Sequence, residues 1–176
     1  RWPDHLRVAI NVSAAQFRTV EIASIIEKAI AQSGISPERI EIEVTESMIL
    51  ADLERAVTAL TKLQSIGVKI ALDDFGAGYS SLSYLTAFPF DKVKIDRSFI
   101  NRLDRTETQT VMTAIVQLAK SLNLSVVAEG IETEAQLEKL RSLAIDFGQG
   151  YLLGRPKPAA ALGFTRYQAD DRIHAA

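Results

Sequence analysis

Residues 68–76 read VKIALDDFG, an apolar run that ends in two adjacent aspartates, Asp73 and Asp74, followed by a phenylalanine and a glycine. Successive side chains of a β-strand point to opposite faces. The stretch therefore predicts a strand with polar side chains on one face and apolar side chains on the other. At its exit, this strand presents carboxylates.

Four other stretches end in the same way, with polar side chains at the exit of an apolar run. They are VAINVS (8–13) with Asn11, IEIEVTES (40–47) with Glu43 and Glu46, KVKID (92–96) with Lys94 and Asp96, and VVAEGIE (126–132) with Glu129 and Glu132. Together the five stretches predict one active site built from several strand ends.

Helix-like segments alternate with these strands, and neither a low-complexity stretch nor a flexible linker interrupts them. The pattern predicts helices over about residues 19–33 and 50–66, and Gly34 can end the first of them in a left-handed conformation. Capping-box signatures at Thr106 with Gln109 and at Thr133 with Gln136 predict two more helix starts. Apolar faces are expected at Leu53, Val57, Leu60 and Leu63, and at Val111, Ile115, Leu118 and Leu122. A short strand near 146–150 precedes a predicted polar C-terminal helix.

Strict alternation of strands and helices predicts a parallel sheet covered by helices, either a doubly wound sheet or a TIM barrel. In a sheet that is covered on both faces, the strands should be apolar on both sides. Here one face carries Asn11, Glu41, Glu43, Lys69, Asp73, Lys92, Lys94 and Glu129, and the other carries Val8, Ile10, Ile42, Val44, Ile70, Leu72, Val93 and Ile95. A barrel interior that becomes polar toward its mouth fits this pattern better, and TIM-barrel active sites lie at the carboxyl ends of the strands.

The number of strands falls short of a full barrel. We count six strand–helix units in 176 residues, whereas the fold typically has eight units and roughly 250 residues. We therefore predict an α/β fold of the TIM type, an incomplete (β/α) barrel that forms one domain over residues 1–176. About two units are expected to precede residue 1.

Composition argues against several kinds of site and partner. The chain has no cysteine and only two histidines, His5 and His174, so disulfides, zinc sites and a Ser-His-Asp triad are not expected. A net charge of −2 gives no electrostatic basis for binding duplex nucleic acid. No apolar run reaches the roughly 18 to 20 residues that span a bilayer, and the N-terminus lacks the apolar core of a signal peptide. We expect a cytoplasmic domain, which segments outside this chain could tether to a membrane.

The acids at the strand ends form an all-oxygen set of metal ligands. Glu43, Asp73, Asp74 and Glu129 offer carboxylates and Asn11 offers an amide oxygen, which are donors that suit Mg²⁺ or Mn²⁺. Adjacent aspartates point in divergent directions, so one can bridge two ions while the other binds only the second, as in two-metal phosphodiester hydrolysis. The alternative is a buried ion-pair network that stabilises the barrel, although so many clustered carboxylates repel one another without cations.

Six motifs resemble, in order and spacing, those of the EAL-domain cyclic di-GMP phosphodiesterases of bacterial signalling. They are NVSAAQF (11–17), EVTES (43–47), LDDFGAGYSSL (72–82), KIDRSFI (94–100), VVAEGIET (126–133) and GQGYLLGRP (148–156). The resemblance covers essentially the whole chain. It implies the hydrolysis of one phosphodiester bond of cyclic di-GMP to give linear pGpG, with two Mg²⁺ or Mn²⁺ ions per active site, and it implies a homodimer with an upstream sensory or diguanylate-cyclase-like domain.

The resemblance also implies roles for individual residues. It makes Asn11, Glu43 and Asp73 ligands of the first ion, and Asp73, Asp74 and Glu129 ligands of the second, with Asp73 as the bridge. Lys94 matches the lysine that contacts the hydrolytic water or the scissile phosphate, and Gln149 matches the glutamine that positions the water. Glu46 matches the glutamate that anchors the loop in 72–82, and Asp96 and Glu132 match positions that orient the ligands or contact the substrate.

Several of these residues also have a purely structural interpretation. Asn11 could cap the turn that leaves its strand, and Glu46 could be an ordinary acid in the first turn of a helix. Gln149 lies between two glycines, where a local hydrogen bond is also credible. The basic pair Arg155 and Lys157 could approach the ligand's phosphates or simply lie in a solvated loop.

One part of the family pattern is absent from the chain. The glutamate, leucine and arginine of the motif that names the family belong to a strand that would precede Arg1, and RWPDHLR (1–7) does not replace them. We therefore interpret the chain as an N-terminally truncated fragment and expect weak or absent activity from these 176 residues alone. The alternative from another functional class is a noncatalytic receptor or regulatory module that binds cyclic di-GMP.

Overall fold

The computed structural model describes residues 3, 6–19, 21–76, 85–86, 88–158, 161 and 174–175. Contacts between residues divide the chain into two compact units. The first contains Arg1–Phe75 and Ser80–Lys92, and the second contains Gly76–Tyr79 and Val93–Ala176. The prediction of one domain over residues 1–176 stays a prediction.

The first unit contains three parallel strands in chain order. They are β1 (Val8–Asn11), β2 (Ile40–Thr45) and β3 (Lys69–Phe75). The described helices between them are α1 (Ala14–Thr19), α2 (Ile22–Ser33), α3 (Glu46–Ala51) and α4 (Leu53–Ser65), and a 3₁₀ turn at Pro37–Arg39 precedes β2. In the register, Asn11 lies opposite Glu43 and Thr45 lies opposite Asp73.

The apolar face of β2 and β3 forms the core of the first unit. Ile42, Val44 and Leu72 are fully buried there, and α4 packs Leu60 and Leu63 into the same core. Each such side chain contributes roughly 1.5–3 kcal/mol to the free energy of unfolding by leaving water. The strand parity is confirmed for β2 and β3, but Ile10 in β1 is 39% exposed and does not join this core.

Two details of the helices in the first unit differ from the predictions. The helix predicted over 50–66 is two helices, because Asp52 leaves the helical conformation and its side chain caps α4 by accepting a hydrogen bond from Arg55 N–H at 3.1 Å. Leu53 and Val57 were placed on the apolar face, yet they are 49% and 38% exposed. The predicted stop at Gly34 is confirmed, since this residue is left-handed with φ 67°.

The second unit continues the strand–helix alternation. Its strands are β4 (Lys92–Ile95), β5 (Ser125–Glu129), β6 (Phe147–Gln149) and the two-residue β7 (His174–Ala175). Its described helices are α5 (Arg97–Ile100), α6 (Thr106–Ser121) and α7 (Glu134–Ser142). The first residue of β4, Lys92, is counted with the first unit. β5, β6 and β7 pair in parallel, and Glu129 lies opposite Gln149. The predicted polar C-terminal helix falls mostly on residues outside the described part of the chain.

The two predicted capping boxes have opposite outcomes. Thr133 and Gln136 form one at the start of α7, as predicted. The prediction at Thr106 is wrong, because Arg105 is the N-cap of α6 and provides no side-chain cap. The inward face of α6 also differs, since Val111 is 46% exposed and the buried residues are Met112, Ile115, Val116 and Ala119.

Candidate functional site

The carboxyl ends of β1 and β2 bring Asn11 and Glu43 side by side. The two residues are register partners, and Val12 N–H donates a hydrogen bond to the Glu43 carbonyl at 3.1 Å. Side chains aligned across parallel strands point to the same face of a sheet. Glu43 is only 6% exposed, whereas Asn11 is exposed. One buried carboxylate and one accessible amide therefore share this strand edge.

Asp73 and Asp74 lie near the carboxyl end of β3, at the same edge of the first unit. Asp73 is 9% exposed and lies on the same face of the sheet as Glu43, two residues further along. Asp74 has φ 54°, an uncommon left-handed conformation for a residue with a side chain, and its N–H donates to Asp73 Oδ1 at 3.0 Å. Carboxylate oxygens of the two aspartates lie within 4.8 Å of each other.

These donors fit a divalent cation. Three carboxylates and one amide oxygen, from Glu43, Asp73, Asp74 and Asn11, meet the preference of Mg²⁺ and Mn²⁺ for oxygen ligands. Two of the three carboxylates are nearly buried. Burying carboxylates is unfavourable unless positive charge or hydrogen bonds compensate them.

Glu46 is the first residue of α3, immediately after β2. Its Oε1 atom is buried and makes no hydrogen bond to the described part of the chain. A buried carboxylate oxygen without a partner is costly, so this atom calls for a ligand or a polar neighbour. The predicted anchoring of the loop in 72–82 falls largely on residues 77–82, which lie outside the described residues.

In the second unit, Lys94 and Glu129 form an ion pair across the ends of β4 and β5. The distance between Nζ and Oε1 is 2.7 Å, and the side chains are 6% and 19% exposed. In the first unit, Lys92 Nζ pairs with Glu41 Oε2 at 2.6 Å, so both units contain buried ion pairs of the kind that the alternative interpretation expects. Strand parity places Lys94 and Glu129 on the polar face but does not reveal that they pair.

Gln149 ends β6 opposite Glu129, and the chain around it is fixed through Ile131. Ile131 N–H donates to the Gln149 carbonyl, and Leu152 N–H donates to the Ile131 carbonyl, each at 3.0 Å. A side chain at Gly150 would place its Cβ 2.1 Å from the Ile131 carbonyl oxygen. The backbone that carries Gln149 is therefore tightly held, while its own side chain is exposed.

Asp96 and Glu132 lie at the margins of the second unit's strand ends. Asp96 caps α5, because its Oδ1 accepts a hydrogen bond from Ser98 N–H at 2.9 Å. Burial alone would raise the pKa of this carboxyl, but hydrogen bonds from Ser98 and Arg97 and the charge of Arg97 lower it overall. Glu132 is exposed, and its N–H donates to Gln136 Oε1 at 2.8 Å. Arg155 lies over the ring of Tyr151, 4.4 Å from its centroid, in an exposed loop.

Comparison with known families decides the assignment. The sequence model of the EAL domain matches residues 1–156. The chain belongs to the EAL domain family. The bifunctional diguanylate cyclase/cyclic di-GMP phosphodiesterase MucR of Pseudomonas aeruginosa is 44% identical over 156 residues, which cover 88% of this chain and 23% of MucR. The cyclic di-GMP phosphodiesterase NbdA of the same organism is 39% identical over 160 residues, which cover 90% of this chain and 20% of NbdA.

Solved structures of EAL proteins share the fold. A complex of the PaMucR phosphodiesterase with c-di-GMP superposes with a TM-score of 0.82 at 43% identity, covering 88% of this chain and 63% of that chain. A manganese and cyclic di-GMP complex of Klebsiella pneumoniae BlrP1 gives a TM-score of 0.80 at 33% identity, covering 85% of this chain and 39% of that chain. These matches confirm the predicted fold class, an incomplete TIM-type (β/α) barrel.

This EAL domain spans about a fifth of the length of the relatives that it matches, MucR and NbdA. Within the described residues, no helix combines the length and the hydrophobicity that crossing a membrane requires.

Proposed function

We propose that this EAL domain hydrolyses one phosphodiester bond of cyclic di-GMP to give linear pGpG, with two Mg²⁺ or Mn²⁺ ions in its active site. The observation that carries the proposal is the set of oxygen donors at consecutive strand ends, where Glu43 and Asp73 are held almost completely buried. The similarity to MucR and NbdA, both named as cyclic di-GMP phosphodiesterases, supports the same substrate.

In this proposal the acids divide between two ions. Asn11, Glu43 and Asp73 would hold the first, and Asp73, Asp74 and Glu129 would hold the second. The left-handed conformation of Asp74 supports this division, because it takes the Asp74 side chain out of the strand's alternation while Asp73 stays on the face of Glu43. When bound, such ions neutralise phosphate charge and make water a better nucleophile.

The remaining polar residues handle the water and the phosphate. Lys94, paired with Glu129, places a buried positive charge where the scissile phosphate or the attacking water binds, and Gln149 orients that water. The water oxygen loses a proton and forms a bond to phosphorus, the bond from phosphorus to the 3′-oxygen breaks, and the leaving 3′-oxygen takes up a proton to become a hydroxyl. We assign Glu46 to anchoring the loop in 72–82, and Asp96 and Glu132 to orienting the groups that contact the ions and substrate.

Turnover by a purified form that extends upstream of Arg1 tests the proposal, because weak or absent activity is expected from these 176 residues alone. Formation of pGpG is followed by chromatography with Mg²⁺ or Mn²⁺ and with a chelator in place of the metal. We expect metal-dependent product and, for Lys94→Met, a loss of at least about 100-fold in kcat. Lys62→Met removes a lysine that is 47% exposed and paired with Glu27 on a helix, so it is the matched control. Tight binding of cyclic di-GMP without any turnover would instead support the noncatalytic receptor.

The bridging role of Asp73 has its own test. Asp73→Asn removes a charge that both ions share, so we expect calorimetry to show loss of both ions and assays to show no turnover. Glu138→Gln, at a carboxylate that is 69% exposed on α7, should leave binding and turnover unchanged. Loss of a single ion per chain with turnover retained would contradict a bridging ligand.

We further propose that the domain works as a cytoplasmic homodimer, joined in the whole protein to an upstream sensory or diguanylate-cyclase-like domain. The bifunctional relative MucR, of which this chain matches 23%, supports such an arrangement. Light scattering on the purified protein measures the oligomeric state, and a monomer at micromolar concentration with full turnover would contradict the dimer.

A further inference from the structure

The one-turn helix α5 touches two glycines in the second unit. A Cβ at Gly76 would lie 2.3 Å from Phe99 Cε2, and a Cβ at Gly130 would lie 2.6 Å from Arg97 Cβ. Both distances are shorter than the non-bonded distances that Cβ atoms keep from other atoms in proteins. Two side chains of α5 therefore occupy the space where side chains at Gly76 and Gly130 would otherwise be.

Each glycine lies directly beyond a strand that carries proposed metal ligands. Gly76 is two residues after Asp74, and Gly130 immediately follows Glu129. Both glycines have positive φ angles, 91° and 74°, which residues with side chains rarely adopt. The backbone thus turns sharply just after the ligands, and α5 lies against both turns.

α5 is itself held firmly. Asp96 caps its first turn through Ser98 N–H at 2.9 Å, and Ile100 is only 1% exposed. Gln136 Nε2 on α7 donates to the Ile100 carbonyl at 3.4 Å. A short helix fixed at both ends can transmit a constraint to whatever it touches.

We propose that α5 acts as a positioning wedge for metal binding. Phe99 against Gly76 and Arg97 against Gly130 hold these two turns, and so constrain the backbone that leads out of Asp74 and the backbone that leads out of Glu129. Phe99 and Arg97 are positioning residues, because neither is assigned a contact with the ions or the substrate. The identity of the ligands rests on the proposed function, whereas the wedge contacts are independent of it.

A substitution at the contact between Gly76 and Phe99 should change metal affinity as well as the stability of the fold. A binding constellation needs its groups within about 0.5 Å of the productive geometry. A methyl group at Gly76 would have to displace the Phe99 ring or the turn by more than that, since the Cβ would lie 2.3 Å from Cε2. A change at either partner of this contact should therefore weaken metal binding.

Four variants and one control test the wedge in the purified protein. The variants are Gly76→Ala, Phe99→Ala, Phe99→Leu and the double variant Gly76→Ala/Phe99→Ala, and the readouts are the Mn²⁺ dissociation constant by calorimetry and, separately, kcat and KM. We expect Gly76→Ala and Phe99→Ala each to weaken Mn²⁺ binding at least tenfold, and Phe99→Leu to do so less. The double variant should bind Mn²⁺ more tightly than Gly76→Ala, because the methyl group then has room.

Gly34→Ala is the matched control. Gly34 has φ 67°, and apart from its own chain neighbours no described atom lies within 4 Å of where its Cβ would be, so this variant introduces the backbone strain without the contact. It should lower thermal stability and leave the Mn²⁺ dissociation constant within twofold.

Two results would overturn the wedge. One is Mn²⁺ binding within twofold of wild type in both Gly76→Ala and Phe99→Ala, and the other is a double variant no better than Gly76→Ala. If Phe99→Ala does not fold, Phe99→Leu decides in its place, with an unchanged dissociation constant counting against the proposal. A wild-type protein that binds Mn²⁺ without turnover would contradict the proposed hydrolysis and leave this comparison intact, whereas one that binds no Mn²⁺ would overturn both.

Discussion

Asp96 shows how one carboxylate links the strand that carries Lys94 to the helix that follows. It immediately follows β4 and caps α5 by accepting a hydrogen bond from Ser98 N–H. Burial acts to raise the pKa of its carboxyl, but the hydrogen bonds from Ser98 and Arg97 and the charge of Arg97 prevail and lower it. The ionised form is therefore the one that the folded protein stabilises.

The lowered pKa predicts a pH dependence of stability with a definite sign. The unfolded chain, in which an aspartate has a pKa of about 3.9, binds a proton more readily than the folded chain. The contribution of Asp96 is thus complete above the unfolded pKa and is lost as the pH falls through the folded pKa. In urea unfolding between pH 7 and pH 3, Asp96→Asn should lose less stability on acidification than wild type does.

The control for this measurement is Asp104→Asn, which removes an exposed acid from the turn after α5. It should follow the wild-type pH profile. An Asp96→Asn profile parallel to that of wild type would show that the charge at Asp96 does not stabilise the fold.

Among the elements, α6 and α7 begin with the same sequence spacing but not with the same structure. At α7, Thr133 Oγ1 accepts from Gln136 N–H at 3.2 Å, and Gln136 Oε1 accepts from Thr133 N–H at 3.0 Å. At α6, Gln109 Nε2 instead donates to the Leu103 carbonyl at 2.9 Å. The Gln109 side chain is therefore engaged by the Leu103 carbonyl of the preceding turn and does not form a capping box. The capping-box spacing in the sequence does not reveal this competing hydrogen bond.

This difference predicts unequal costs for the same substitution. Thr133→Ala removes a working cap and should lower the free energy of unfolding by about 1 kcal/mol. Thr106→Ala removes no cap, so it should stay within about 0.5 kcal/mol of wild type. Urea denaturation of both variants measures the two values, and equal losses would show that the capping box of α7 adds nothing.

The elements also show where sequence patterns were sufficient. Alternation predicted β2 and β3 with their buried apolar face, because a strand's two faces are set by position alone. The break at Asp52 was not predicted, since leucines on both sides of it continue a helical period. The predicted inward face of α6 differs from the observed one for a related reason. Val111 and Met112 are both apolar, so the sequence pattern does not distinguish them, and packing buries Met112.

For the whole molecule, the strand ends predict that metal binding and folding are coupled. Glu43 and Asp73 are buried carboxylates, and a cation that binds them only in the folded chain would favour that state. Mn²⁺ at about 100 times its dissociation constant should add about 2.7 kcal/mol to the free energy of unfolding. Thermal denaturation with increasing Mn²⁺ measures this as a rising Tm.

Asp73→Asn should abolish most of that rise, because it removes a ligand that both proposed ions share. Ca²⁺ or Mg²⁺ at equal concentration shows whether the shift depends on the ion. A Tm that does not change with Mn²⁺ would mean that these carboxylates are compensated within the protein.

Much of the candidate site could be predicted because it lies at the ends of strands. The positions of Asn11, Glu43 and Asp73 on one face could be predicted from the alternation of side chains along each strand. Their common edge could be predicted because the carboxyl ends of parallel strands lie at the same edge of a sheet. The ion pair between Lys94 and Glu129 could not, because the two residues are distant in sequence and either could have faced another charge. The contacts of Phe99 with Gly76 and of Arg97 with Gly130 could not be predicted either. The sequence does not show which side chains pack against a glycine in the folded protein.

The closeness of Ile131 to Gly150 has a consequence for how this protein tolerates change. Three backbone atoms of Ile131 fill the place of any side chain at position 150, at 2.1, 2.2 and 2.7 Å from where its Cβ would be. Backbone cannot move aside as a flexible side chain can, so even the smallest replacement is blocked there. In a library that samples all amino acids at every position, position 150 should accept glycine alone, while its exposed neighbour Tyr151 should accept many replacements.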